Sequence, residues 1–309
     1  MRRASANAAI TAAARTKGLR RLKGPGAPTH GPNGLPMGLP RVIPQSLTPA
    51  SVRKLTGDAA LCDNGRRNAG RAREISGWAM HKRLCRPTAG NKQLTLRMPE
   101  GTVEPLPIIY LNVFQGDGGD VWAACRELDC PPFVLAAIGG LDWNRELSPW
   151  ECDATVRDGE PFAGGASAYL AELIEQIVPD VETLLPRPPA WRGIAGYSLA
   201  GLFALWSLWQ TDAFDRAASA SGSLWFPRFL ERAAAEPFAG SPRDVYLSLG
   251  KKETKTPNRM MRHVLEDTRA MEELLRGRGI DTTLELNPGN HFSETDRRMA
   301  RGIKWLLGR

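Results

Sequence analysis

From Lys92 to the end of the 309-residue chain, short apolar runs alternate with amphipathic stretches. Gln93 to Met98 alternates weakly, as a half-buried strand does. Pro107 to Val113 is a nearly unbroken apolar run, the pattern of a strand covered on both faces. Asp117 to Leu128 then carries Val121, Trp122, Cys125 and Leu128 on one helical face, and Phe133 to Ile138 is a second buried strand ending at Gly139-Gly140. Ala166 to Leu185 predicts a long amphipathic helix kinked at Pro179 and closed by Pro186. Trp191 to Tyr197 reads as a strand and Ser198 to Gln210 as the helix after it. Further strands are expected over Arg216 to Ser221, Val245 to Leu249 and Thr282 to Leu286, with helices over Arg259 to Arg278 and Ser293 to Leu307.

Strands separated by helices imply βαβ units. The expectation is an α/β fold with a mostly parallel central sheet and helices on both faces, in one folded domain over residues 91–309. In such sheets the chemistry gathers at the carboxyl ends of the strands. Gly193 to Gln210 carries no charge and is long enough to weigh as a membrane span, but a glycine-flanked serine near its start argues for a strand, a turn and a helix instead.

Residues 1–90 have a different texture. They hold 17 Lys+Arg against 3 Asp+Glu, no Phe or Tyr, and a Pro/Gly-rich stretch from Gly24 to Pro44. High net charge with few apolar residues favours a basic, disordered extension. Its Arg-rich, acid-free start, Met1 to Arg21, also has the composition of a transit-like peptide, and a basic arm for nucleic acid is a further reading. The overall charge of +8 therefore misleads: residues 91–309 carry 24 basic against 30 acidic residues, so the folded part is mildly acidic and offers no nucleic-acid groove. Five cysteines (Cys62, Cys85, Cys125, Cys130, Cys152) show neither zinc-ligand spacing nor a disulfide framework, which fits a reducing, cytoplasmic setting.

The candidate chemistry centres on Gly196-Tyr197-Ser198-Leu199-Ala200-Gly201, where an apolar run enters a serine between small residues and another leaves it. A strand turning sharply into a helix exposes the serine Oγ in strained backbone geometry, and only small residues at 196 and 200 let the two elements approach. The N–H of Leu199, opening the helix, would face a developing oxyanion. A serine hydroxyl needs a base. Of four histidines, His30 and His81 lie in the basic extension and His263 in a predicted helix, whereas His291 follows the last strand in Asn287-Pro288-Gly289-Asn290-His291-Phe292. Between serine and histidine, Tyr246-Leu247-Ser248-Leu249-Gly250-Lys251-Lys252-Glu253 ends a strand, so Glu253 is the candidate acid; it reads equally as a solvated charge among lysines, in which case a Ser–His dyad remains. A second oxyanion donor is expected from Val113 or Phe114, in the glycine-rich turn after the Pro107 to Val113 strand. Asp117 and Asp120 read as helix-capping residues rather than metal ligands. Trp143, Arg145 and Trp225 sit in loops at the catalytic end of the sheet and are candidates to shape the substrate pocket; the two tryptophans read equally as core residues, and Arg145 either as a partner for an anion or as a surface charge.

Four stretches together resemble the putative-esterase group of α/β-hydrolases, which includes esterase D-like and enterobactin esterase-like proteins. They are Gly193 to Ala204, Ser219-Ala220-Ser221-Gly222-Ser223-Leu224-Trp225-Phe226, Leu247 to Glu253, and Asn287 to Phe292. The likeness runs from about Lys92 to Leu307. It implies an α/β-hydrolase fold, Ser198 as nucleophile, His291 as base, Glu253 as acid, and no cofactor. Two positions depart from the group: Lys251 stands where relatives often carry Asp, and Asp142-Trp143-Asn144-Arg145 matches their Arg-containing loop only in part. The resulting expectation is a serine hydrolase acting on a small-molecule carboxylic ester through an acyl-enzyme. An acyltransferase and a catalytically silent binding module are the alternatives. Neither the acyl group, the alcohol nor the oligomeric state follows from the sequence.

Overall fold

The computed structural model describes residues 92–101, 103–153 and 159–309. The expected extension over 1–90, with His30, His81, Cys62 and Cys85, lies outside the described residues. The strands are β1 (Gln93–Arg97), β2 (Ile108–Asn112), β3 (Val134–Gly139), β4 (Glu151–Cys152), β5 (Phe162–Ala163), β6 (Arg192–Tyr197), β7 (Arg216–Ala220), β8 (Asp244–Gly250) and β9 (Asp281–Asn287). The α-helices are α1 (Gly119–Glu127), α2 (Trp143–Glu146), α3 (Ala166–Glu172), α4 (Val178–Glu182), α5 (Leu199–Ser207), α6 (Phe229–Ala235), α7 (Val264–Gly277) and α8 (Thr295–Leu307).

Seven strands form one sheet in the order β1-β3-β2-β6-β7-β8-β9. Only the β1–β3 pair is antiparallel; β2, β3, β6, β7, β8 and β9 run parallel. Alternating side chains send Ile108 and Tyr110 to one core, beneath α3, α4, α5, α6 and α7, and Ile109 and Leu111 to another, beneath α1 and α8. Both faces being covered, the parallel strands have to be apolar throughout, and this is why they read as continuous runs. The uncharged stretch weighed as a membrane span divides into β6 and the nine-residue α5, and among the described residues no helix is long and apolar enough to cross a membrane.

Three details differ from the sequence reading. Residues 166–185 are not one regular α-helix: a wide-turned π segment (Leu173–Ile177) joins α3 to α4 and places Pro179 in the first turn of α4, where a missing N–H costs no helical bond. The helix expected from Arg259 begins as a short 3-10 turn at Met261–His263, leaving Lys251 to Met260 as a loop. The connection Gly140 to Gly165 contains α2 and the β4–β5 hairpin, both too short to leave a periodic signature. The α2 turn is anchored from below by Lys92, whose buried ammonium pairs with Glu146 at 2.8 Å and Glu172 at 2.7 Å.

The chain leaves β2 toward β3 on one side and leaves β6 toward β7 on the other. The two loops diverge, so a crevice opens above the carboxyl ends of β2 and β6. Asn112 and Gly196 are cross-strand partners, which sets the turn after β2 beside Ser198.

Candidate active site

Ser198 occupies the corner between β6 and α5 with φ 59° and ψ −120°, a left-handed conformation that a non-glycine residue adopts only when its surroundings enforce it. The enforcement is visible on both sides. The Ser198 N–H donates to Ala220 O at 3.0 Å, and the Ser198 carbonyl accepts from Leu202 and Ser223 N–H at 3.1 and 3.0 Å. Any Cβ at Gly196 would lie 2.4 Å from the Ala200 backbone, so strand and helix approach as closely as the small residues at 196 and 200 permit. Leu199 is the first helical residue, and its N–H is one the helix itself leaves without an internal acceptor.

His291 and Glu253 converge on this corner from the loops after β9 and β8. The His291 ring lies with Nε2 3.0 Å from Ser198 Oγ and Nδ1 2.8 Å from Glu253 Oε2, joining residues 93 and 38 positions apart. The Glu253 side chain is only 4% exposed. Burial pushes its carboxyl up, but hydrogen bonds from His291, Ser221 and the Gly250 N–H outweigh that and hold it below the usual carboxylate range. An ionised carboxylate can only accept, so the proton sits on Nδ1, Nε2 is left as acceptor, and the Ser198 hydroxyl donates to it. Glu253 is thus no solvated charge among its lysine neighbours.

The carboxylate's other oxygen is held by groups that the sequence reading did not single out. Glu253 Oε1 accepts from the Gly250 N–H at 2.6 Å, from Ser221 Oγ at 2.8 Å and from Arg298 Nη1 at 3.2 Å. Arg298 has a fully buried side chain. It also donates to Tyr197 OH at 3.1 Å, Ser221 Oγ at 3.2 Å and Pro288 O at 2.7 Å, and Tyr197 OH donates to His291 O at 2.7 Å. One guanidinium therefore ties together the strand end before Ser198, the turn after β7, the Glu253 loop and the His291 loop. A signal was present in the sequence: Arg298 lies in phase with the apolar stripe Met299, Gly302, Ile303 and Leu306 of α8, where a charge needs a partner.

Of the two candidates for a second oxyanion donor, Val113 has its N–H committed to Ile138 O at 2.9 Å, completing the β2–β3 ladder, so the geometry speaks against Val113. Phe114, the next residue, turns out of the sheet, is 66% exposed and stacks edge-on against Trp143 at 5.0 Å. Asp117 pairs with Arg97 at 2.7 Å and accepts the Gly119 N–H at 3.0 Å at the start of α1.

Two clefts meet at Ser198 and His291, separated by the 84% exposed ring of Phe292. The first, about 490 Å³, is lined by Phe114, Trp143, Val121 and Met299, with Asp296 at its edge. The second, about 480 Å³, is lined by Trp225, Ser223, Met261, Asn290, Lys252 and Lys255. Trp143 and Trp225 thus face different clefts. Arg145 lines neither, since its guanidinium is turned to Asp142 at 2.9 Å, and it is not placed to meet a substrate there. His263 is exposed and pairs with Glu266 at 3.0 Å.

Comparison with known proteins adds the following. The family described as "Putative esterase" matches residues 124–295. "Uncharacterized protein YbbA" of Bacillus subtilis (strain 168) is 24% identical over 241 residues, covering 73% of this chain and 96% of that protein. Among solved structures, an IroE-like serine hydrolase from Shewanella oneidensis superposes with a TM-score of 0.58 at 21% identity, over 70% of this chain and 76% of that one. The enterobactin esterase FES from Shigella flexneri, solved in the presence of enterobactin, gives 0.53 at 20% identity, over 70% of this chain and 55% of that one. These likenesses establish the α/β-hydrolase architecture.

Proposed function

Because the chain belongs to the family described as "Putative esterase", we propose that it is a serine hydrolase that cleaves a carboxylic ester through an acyl-enzyme. The observation that carries the reading is the hydrogen-bonded chain from Ser198 Oγ through His291 to Glu253, at 3.0 and 2.8 Å. Ser198 Oγ bonds to the acyl carbon while its proton passes to His291 Nε2. The oxyanion that forms is held by the N–H groups of Leu199 and Phe114, each worth about 2.7–4 kcal/mol of barrier in enzymes of this kind. The carbon–oxygen bond to the alcohol then breaks, the electron pair leaves on the alkoxide oxygen, and His291 returns the proton to it. Water repeats the sequence in reverse, donating its proton to His291 as it attacks the ester carbon, and Ser198 leaves reprotonated. Glu253 stays ionised throughout and stabilises the imidazolium, while Arg298 and Ser221 keep the carboxylate in register.

The test is stoichiometric labelling by a fluorophosphonate together with hydrolysis of a short-chain 4-nitrophenyl ester. Both are expected in the native protein and absent in Ser198→Ala, with hydrolysis reduced by a factor on the order of 10⁶. Equal rates in the two proteins would refute the assignment. Product analysis with an added alcohol separates transfer to water from transfer to that alcohol.

A further inference from the structure

We propose that the second cleft is an anion subsite: Lys252 and Lys255 receive a negatively charged group on the ester, while the uncharged remainder lies in the first cleft against Phe114 and Trp143. The proposal rests on the serine-hydrolase reading for the position of the scissile bond and adds the class of substrate.

The charge distribution around Ser198 carries it. Between Lys251 and Arg262, the loop over the second cleft holds Lys251, Lys252, Lys255, Arg259 and Arg262, with Glu253 as its sole carboxylate. That carboxylate is buried and already matched by Arg298 and His291, so it does not neutralise the lysines. Lys252 and Lys255 are exposed residues that line this cleft, and among the described residues neither is in an ion pair. The loop that carries them is braced, since Arg262 donates to the carbonyls of Thr256 at 3.1 Å and Pro257 at 3.4 Å. The same cleft is also lined by Ser223 and Asn290, neutral groups able to donate to an anion.

The first cleft has the opposite character. No lysine or arginine lines it, and its one carboxylate is Asp296. An ester with a fixed negative charge is repelled there and attracted on the lysine side, so the two clefts together dictate which way round it lies across Ser198. Arg145, read from the sequence as the anion's partner, is held by Asp142, and the role passes to residues that the sequence had grouped only as a lysine-rich surround of Glu253.

Binding measured in the Ser198→Ala background tests the subsite without turnover. Two probes place a carboxylate on opposite sides of the ester: monobenzyl glutarate on the acyl side, and 4-(butanoyloxymethyl)benzoate on the alcohol side. Each is titrated by calorimetry against its own uncharged methyl ester. At least one of the anions is expected to bind about five- to tenfold more tightly than its methyl ester, the yield of two exposed ammonium groups. That ratio should fall to about one when Lys252→Gln and Lys255→Gln are added, return with Lys252→Arg and Lys255→Arg, and shrink in about 0.5 M salt, where exposed charges are screened. A ratio near one for both anions in the parent protein overturns the subsite, as does a preference that survives the double glutamine change. Turnover of the methyl esters by the Ser198 protein is recorded in parallel. An anion preference without any turnover would strike the hydrolase reading and leave the subsite standing, whereas turnover without a preference does the reverse.

Discussion

Glu253→Gln changes no more than a few atoms, yet the surroundings dictate a large effect. The carboxylate accepts hydrogen bonds on both oxygens, from His291 Nδ1 on Oε2 and from Gly250 N–H, Ser221 and Arg298 on Oε1. An amide has one accepting end. The Gly250 N–H at 2.6 Å and the Arg298 guanidinium at 3.2 Å are donors that cannot accept, so the amide oxygen is drawn to their side and the amide NH₂ turns toward His291. Nδ1 must then accept. The ring proton moves to Nε2, the nitrogen that faces Ser198, and the imidazole can no longer take the serine proton. The equivalent change in a chymotrypsin-type protease lowers kcat by about 10⁴ through the same wrong tautomer, or about 5.4 kcal/mol of barrier. The expected outcome is a loss of similar size in kcat for a 4-nitrophenyl ester, with KM within about threefold, since no contact with substrate is removed. Circular dichroism and a thermal melt establish that the variant folds. A kcat within about tenfold of the parent would show that Glu253 does not select the tautomer.

Three further outcomes follow from the same network. Arg298→Met removes one partner of a buried ion pair and should cost about 3–5 kcal/mol of stability, a fall in Tm of roughly 6–20 °C; Arg298→Lys, which keeps the charge but cannot reach both Glu253 and Pro288, should fall between, and equal melts for all three proteins would contradict it. Gly196→Ala places a Cβ 2.4 Å from the Ala200 backbone, so β6 and α5 must separate, at about 1–3 kcal/mol in stability and with lower kcat as the Leu199 N–H shifts; unchanged melting and turnover would refute the packing argument. Glu253 is held below its ordinary value of 4.5, so its contribution to stability is fully present above that pH and is lost as pH falls through the folded-state value. The Tm difference between the parent and Glu253→Gln should therefore be constant above about pH 5 and shrink below it, and a difference that grows on acidification would reverse the assigned sign.

Much of the architecture was legible because it rests on local patterns. Strands buried on both faces must be apolar throughout, and amphipathic helices carry a stripe, so β2, β3, β6, β8 and α8 could be read directly. The small residues around Ser198 announced a tight strand-to-helix corner, because steric exclusion at 196 and 200 is a property of the residues themselves. The segments that escaped, α2, the β4–β5 hairpin and the π turn before Pro179, are shorter than a period or depend on what packs against them.

The site divides along the same line. Residue type and order along the chain were enough to nominate Ser198, Glu253 and His291, since the order follows the succession of strand ends. Tertiary structure alone decided that Val113 spends its N–H within the sheet, that Arg145 is occupied by Asp142, and that a buried arginine from the last helix braces the carboxylate. These are questions of which donor meets which acceptor, 25 positions apart for Val113 and Ile138, three for Arg145 and Asp142, and 45 for Arg298 and Glu253. Spacing in sequence carries no information about such meetings, because they are set by where separate strands end and how the loops beyond them fold back over one crevice.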